Sequence, residues 1–361
     1  MRKENDRYFI DAVARALDVL DLFSGNRDGI RLTDVMDELG LVKSTAFRLL
    51  YTLEKKGYIE REPGSALYRR RRRRRVGLLS ISRSIPFVAE VERGIESEAR
   101  AAGIDLLIRH HEFVPRESVE GAEELLAGGA EFLVLYNPDE YISHIIADRC
   151  AQARVPVLAI TFPVPGAILL GVNSYRAGLT GGEGLGEMVV RRWRGSLDWV
   201  VKLDIPGNTP AQQARMSGML EGLRKAIRVP DDRVLHLQAD RRGRPAQVLM
   251  AEFLRKHTRT KRTAVLCYND INALGALEAV REAKRTSHVL ILSQGGIREV
   301  REEIRKPRSP LWGAVAHFPE RFGKHLIPVI QRMLRGENVP HTHYTEHALL
   351  TRSTISRHYG E

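Results

Sequence analysis

Lys43, Ser44, Thr45 and Arg48 stand close together in GLVKSTAFRLLYTLEKKGYIERE, just ahead of leucines spaced for a helix core. Side chains of these types recognise rather than react. Hydroxyls and lysine ammonium groups hold phosphate oxygens, and an arginine fork matches the two acceptors on the major-groove edge of guanine. A little further on, YRRRRRRRVGLL sets Arg69 to Arg75 in an unbroken run. Such a run is either a solvated joint or a grip on a polyanion. In an extended chain alternate side chains share a face, so Arg69, Arg71, Arg73 and Arg75 would point together and all seven could not reach DNA at once. Four phosphate contacts from that face would give a salt slope of about −3.6, from about 0.9 per phosphate.

Short helices must position the first group. Phe9, Val13, Ala16, Leu17, Leu20 and Phe23 recur at helical spacing, and SGNRDG stops that helix. Thr33 is a candidate N-cap for a second helix through Leu39, closed by Gly40. A third helix begins near Val42 and ends at Gly57, with Leu49, Leu50 and Leu53 as core positions; YIERE, PGSA and LYRR then read as a β-hairpin. Three helices and a hairpin in this order predict a winged helix-turn-helix, whose third helix presents Lys43, Ser44, Thr45 and Arg48 to a major groove.

The segment GLVKSTAFRLLYTLEKKGYIERE resembles the winged helix-turn-helix of the isocitrate-lyase-regulator (IclR) family. There, a Ser-Thr pair opens the recognition helix, an Arg follows three residues later, and Leu-Glu-Lys-x-Gly-Tyr closes it. The resemblance covers about residues 7 to 68 and implies double-stranded operator DNA as partner. An IclR protein would continue into a linker helix and a GAF-like domain. This chain runs instead through arginines into repeated βα units, so no IclR effector site is carried over.

From Val76 the short apolar runs VGLLSI, IDLLIRH, EFLVLY, VPVLAIT, ILLGVNS, LDWVVKLD, RVLHLQA, TAVLCYND and HVLILSQ alternate with longer amphipathic stretches. This pattern predicts an α/β class with parallel sheets flanked by helices. The break at TFPVPGA marks a crossing between two lobes with a cleft between them. Several segments, among them VGLLSISRSIPFVAEVERGIESEARAAGIDLLI, GVNSYRAG, QQARMSGMLEGL and CYNDINALGALEAVREA, resemble the type-1 periplasmic-binding-protein fold. That fold is shared by sugar-binding transport proteins and by the effector domains of lactose-repressor (LacI) family regulators.

The likeness implies a small effector, a sugar or sugar derivative, held where strands end at the lobe boundary. By motif position, Phe87 in SIPF would stack on the ring, while Asn137, Asn173 and Tyr175 sit at strand ends near the cleft. Arg215 in QQARMSG matches the family arginine that forks onto ligand hydroxyls. Asn269 and Asp270 follow AVLCY, and Gln294 ends HVLILSQ, where many relatives keep an acid. Asp270, Asn173 and Asn137 read equally as helix N-caps.

The expected organisation is a DNA-binding head over 1–68, an arginine joint over 69–75 and an effector domain over 76–361. Within the last, lobe 1 is expected at about 76–173 plus 295–320, and lobe 2 at about 174–294 plus 321–350.

The chain carries 57 basic and 45 acidic side chains, net +12, yet residues 1–68 hold 11 basic against 12 acidic. The arginine run therefore supplies the basic character of the N-terminal part. Cys150 and Cys267 lie in apolar stretches and read as buried thiols in a reducing, cytoplasmic setting. No secretion signal is read at the N-terminus, and no apolar run reaches the roughly 18 to 20 residues of a membrane span. LTGGEGLGEM lacks the spacing of a phosphate loop and reads as close helix packing. HTHYTEH lacks a further ligand at a metal spacing and reads as an exposed segment. No catalytic constellation stands out, and no metal or cofactor is expected. A transport binding protein or a sugar-acting enzyme would account for the cleft alone. A dimeric ligand-responsive regulator accounts for head, joint and cleft together.

Overall fold

A computed structural model describes residues 8–24, 29–62, 64–70, 73–205, 210–240 and 244–360. The chain divides into two compact units, with the boundary between Arg74 and Arg75.

The first unit holds α1 (Asp11–Asp21), β1 (Ile30–Arg31), α2 (Leu32–Leu39), α3 (Lys43–Lys55), β2 (Ile59–Arg61) and β3 (Leu67–Arg70). Val19, Val35, Ala46, Leu50 and Leu53 from the helices close over Ile30, Ile59 and Tyr68 of the small sheet. The sequence reading missed β1, two residues long, in which Ile30 pairs with Tyr68. Thr33 does not cap α2. Arg31 occupies the N-cap position, and the Asp34 carboxylate accepts its N–H at 2.7 Å. The expected boundary at 68 cuts through β3, because Arg69 and Arg70 still pair with Glu60 and Ile59.

The second unit opens with β4 (Arg75–Ser80), α4 (Pro86–Ala101), β5 (Asp105–His110), α5 (Pro115–Ala127), β6 (Phe132–Leu135), α6 (Glu140–Gln152), β7 (Val157–Ile160) and β8 (Ile168–Val172). It continues with α7 (Ser174–Trp193), β9 (Trp199–Asp204), α8 (Pro210–Ala226), β10 (Val234–Gln238), α9 (Arg244–Lys256), β11 (Thr263–Cys267), α10 (Asp270–Glu282), β12 (Val289–Gly295), α11 (Arg298–Arg305) and β13 (Leu311–Ala316). It ends with α12 (Phe322–Leu334), β14 (Thr342–Thr345), β15 (Ala348–Thr351) and α13 (Ser356–Tyr359). Two six-stranded sheets result, ordered β14-β8-β7-β6-β4-β5 and β10-β9-β11-β12-β13-β15. Their pairings are parallel except β13 with β15. Continuous apolar strands such as Phe132–Leu135 and Thr263–Cys267 are buried on both faces, as helix-covered parallel sheets require.

The late segments exchange lobes relative to the sequence expectation. Residues 295–316 stay in the second lobe, where Val300, Ile304, Leu311 and Ala314 join its core. Helix α12 returns to the first lobe and buries Phe322, Leu326 and Ile330 against Val88, Val91 and Ile95 of α4. Glycine permits that contact: a Cβ on Gly323 would lie 2.1 Å from the Gly94 carbonyl oxygen. Strand β14, within HTHYTEH, completes the first sheet, and β15 completes the second.

The glycines of LTGGEGLGEM lie inside α7. A Cβ on Gly178 would stand 2.1 Å from the carbonyl oxygen of Arg215, and one on Gly182 at the same distance from that of Met219. Helices α7 and α8 therefore touch backbone to backbone. Gly182→Ala is expected to destabilise the protein. The roughly 1 kcal/mol gained in helix propensity is outweighed by an overpacking cost of about 1–3 kcal/mol or more, since backbone cannot swing aside. The urea midpoint should fall; an unchanged midpoint would mean that the two helices separate freely.

Candidate functional site

The first-lobe strands β4 and β6 and the second-lobe strands β11, β12 and β13 run out toward a common cleft, which holds about 740 Å³ of space free of protein atoms, its open mouth included. Ile81, Val88, Ile271 and Ile297 supply apolar wall, with Phe113, Tyr136, Phe162 and Tyr268 as aromatic lining. Tyr136 and Phe162 stack at 5.9 Å. Phe113 and Thr161 line the cleft at φ 64° and 67°, and Phe318, beside the lining His317, has φ 51°. Side-chain-bearing residues avoid this region, a β-branched threonine most of all, so the surrounding fold holds these strand-end turns against a local cost.

Five of the eight ligand-site residues expected from sequence line the cleft: Phe87, Arg215, Asn269, Asp270 and Gln294. Phe87 meets His317 and Phe322 edge to face. Arg215, 7% exposed, donates from Nη1 to the Tyr268 carbonyl at 3.2 Å and lies 4.6 Å over the Tyr268 ring, while its Nε has no partner. Asn269 caps α10, accepting the Asn272 N–H at 2.9 Å. Gln294 is 1% exposed; its Oε1 is 2.9 Å from His317 Nε2 and its own Nε2 is unpartnered. Burial holds His317 well below its ordinary pKa, and the nearby Arg215 charge adds to this. The ring is therefore held in its neutral form.

Asp270 is buried beneath these groups. Its carboxylate accepts from the Ser293 hydroxyl and, at 2.8 Å, from the Ile297 N–H. Burial nevertheless pushes its pKa up to about 7, with Glu90 pushing the same way.

The other three expected ligand residues are not part of the lining. Asn173 caps α7 at the lobe crossing, accepting the Arg176 N–H at 3.0 Å. Tyr175 points to Glu221 on α8, whose carboxylate raises its pKa. At the start of α7 the Asn173 side chain is spent on the cap and that of Tyr175 faces α8 instead of the cleft. Asn137 follows the lining residue Tyr136, but its Oδ1 accepts the Asp139 N–H at 2.9 Å. Sequence reasoning in turn missed Phe113, Tyr136, Phe162 and His317. The available signal was that Tyr136 and His317 directly follow apolar strands, with Phe162 and Phe113 within the next turn after theirs.

In the head, Ala46, Leu50 and Leu53 bury one face of α3, leaving Lys43, Ser44 and Arg48 exposed opposite and Thr45 half-buried toward α1. Phe47, Tyr51 and Lys55, not singled out from sequence, share the exposed side. Phe47 stacks on Tyr51 at 6.2 Å, and Lys55 lies 5.4 Å over the Tyr51 ring.

The face expected to carry Arg69, Arg71, Arg73 and Arg75 lies partly outside the described residues. Arg69, in β3, pairs with Glu62 at 3.3 Å. Arg71 lies outside the described residues, and Arg73 is exposed between strands. Arg75 opens β4 and is committed to the second unit: it pairs with Asp105, its register partner on β5, at 3.2 Å and donates to the Gly128 carbonyl.

The model of the periplasmic binding protein domain matches residues 76–338, and that of the IclR helix-turn-helix domain matches 12–63. The chain belongs to the periplasmic binding protein domain family. The ribose import binding protein RbsB of Salmonella typhimurium is 24% identical over 256 residues, 70% of this chain and 82% of that protein. The transcriptional regulator XynR of Escherichia coli is 43% identical over 60 residues, 17% of this chain and 24% of its own length. A periplasmic solute-binding protein of Actinobacillus succinogenes with bound D-allose superposes with a TM-score of 0.70 at 15% identity, covering 79% of this chain and all of that one. The two-lobed fold is thus that of solute-binding proteins, joined to an IclR-type helix-turn-helix; this is the architecture of a ligand-responsive transcription regulator, not of an enzyme. No helix among the described residues is long and apolar enough to cross a membrane.

A carboxyl raised in the folded state binds more protons there than in the unfolded chain. Its contribution to stability is present below about pH 4 and is lost as pH rises through about 7. In Asp270→Asn the amide oxygen can still accept from Ile297 and the amide nitrogen can donate to Ser293. The melting temperature of this variant minus that of wild type should therefore increase from pH 5 to pH 8; a flat difference would contradict the raised pKa.

Proposed function

We propose that this protein binds operator DNA as a homodimer through α3 and the β2–β3 wing, and that a small sugar or sugar derivative in the interlobe cleft alters that binding. The observation that carries the reading is the presence, on one chain, of an IclR-type head and a cleft whose buried polar groups are left unpartnered. A transport protein would leave the head without a use. The names of the relatives, a ribose import protein and a solute-binding protein with D-allose, support a sugar-sized ligand.

In this reading Arg48 reads a base and Ser44, Lys43 and Thr45 hold phosphates, with Arg69, Arg71 and Arg73 adding sequence-independent attraction. Arg75 is left out, being paired within the effector unit. Dimerisation through the effector lobes sets two heads on half-sites of a near-palindrome. Phe9, Ile10, Val13 and Leu17, exposed on and just before α1, offer a further apolar face of the kind a second copy covers.

The lobes touch across the cleft through Gln212, donating to the Pro138 carbonyl at 3.1 Å, and through Glu90, 3.4 Å from Arg301. Ligand that favours this arrangement by about 1–3 kcal/mol over an open one would change operator affinity roughly 5- to 150-fold.

Mobility-shift titrations on the DNA flanking its own gene should show site-specific binding, and its absence would overturn the reading. Arg48→Ala is expected to cost about 1–3 kcal/mol at one base position and relax preference there. Replacing residues 70–74 by a Gly/Ser segment should instead weaken binding to every DNA and flatten the salt slope by about 0.9 for each phosphate no longer neutralised. An unchanged slope would make the run a solvated joint.

A further inference from the structure

Among the described side chains that line the cleft, two buried polar atoms are left without partners, Arg215 Nε and Gln294 Nε2, and both are donors. The acceptor atoms of the lining side chains Gln294, Asn269 and Asp270 each face a partner: Gln294 Oε1 lies 2.9 Å from His317 Nε2, Asn269 Oδ1 takes the Asn272 N–H, and the two oxygens of Asp270 take Ser293 and Ile297. Arg215 is a buried cation whose partners among the described residues are a carbonyl and a ring, both of Tyr268, and not a carboxylate.

A sugar hydroxyl placed against such a surface accepts one bond but brings a proton that needs an acceptor of its own. A carboxylate brings acceptors only. It also supplies the counter-charge that a desolvated guanidinium lacks, through bonds stronger than those between neutral groups. We propose that the cleft takes a sugar acid, an aldonate or a uronate, whose carboxylate is bound by Arg215 and the Gln294 amide nitrogen and whose carbon skeleton lies along the Phe87, Tyr136 and Phe162 side. Gln294 contributes to this preference through its amide nitrogen, which has no partner while Oε1 faces His317 Nε2. The proposal rests on the effector reading of the cleft and names the ligand class for it.

Calorimetric titration of the full chain with matched pairs, D-gluconate and D-glucuronate against D-glucose, D-galacturonate against D-galactose and D-ribonate against D-ribose, tests it. At least one acid should bind tenfold or more tightly than its neutral partner. Gln294→Glu, nearly isosteric and checked by its melting curve, should abolish that preference by placing like charges together, and Arg215→Gln should do so by removing the cation. Tighter binding of the neutral member would overturn the acid assignment and leave the sugar-effector reading standing. An acid preference that survives both substitutions would overturn the assignment to these residues. Binding of neither class would overturn both readings.

Discussion

The backbone contact between α7 and α8 is the constraint on which the cleft depends. Helix α7 leaves the lobe crossing directly from its Asn173 cap, and α8 carries Gln212 and Arg215. Gly178 lies against the carbonyl of Arg215 itself, and Gly218 against that of Tyr175, so neither helix could bear even a methyl group there. Any side chain at these sites would push α8 outward. Arg215 would then leave the Tyr268 ring, and Gln212 would lose its bond to Pro138 on the other lobe. Interiors this close-packed transmit displacement instead of absorbing it.

Much of the fold was legible in the sequence because periodicity reports burial. Each apolar run from VGLLSI to HVLILSQ became a strand, and the three helices of the head followed from their leucine spacing. The assignment of the last segments to lobes was not legible. An amphipathic helix such as α12 declares that one face is buried but not against which sheet, and here the decision lies in the fit of Gly323 against Gly94. Four-residue strands such as β14 and β15 carry too little alternation to stand out.

The site divides along similar lines. Ligands in open α/β folds lie at the carboxyl ends of strands, and Asn269, Asp270 and Gln294, singled out from sequence at or just beyond strand ends, line the cleft. Asn173 also follows a strand, yet its side chain is used up on the first turn of its helix. Tyr136 and Phe162 were overlooked because an aromatic beside an apolar run reads as core until the stack that exposes it to the cleft is seen. His317 was invisible for a further reason: its role comes from a hydrogen bond to Gln294, 23 residues away in sequence.

Contacts between the lobes bear on how a ligand can act. Glu90 on α4 accepts the Arg298 N–H at 3.2 Å and faces Arg301 on α11, which also donates to the Gly296 carbonyl and stacks 4.2 Å over Tyr359. These groups contribute contacts of the protein's own to the arrangement in which the lobes meet. A ligand shifts a balance between this arrangement and an open one only by the difference in its affinity for the two. Groups that meet only when the lobes approach generate that difference. Arg215 and Gln294 come from the second lobe, whereas Phe87, Tyr136 and Phe162 come from the first. A molecule that bridges them senses closure, and one bound to either wall alone does not.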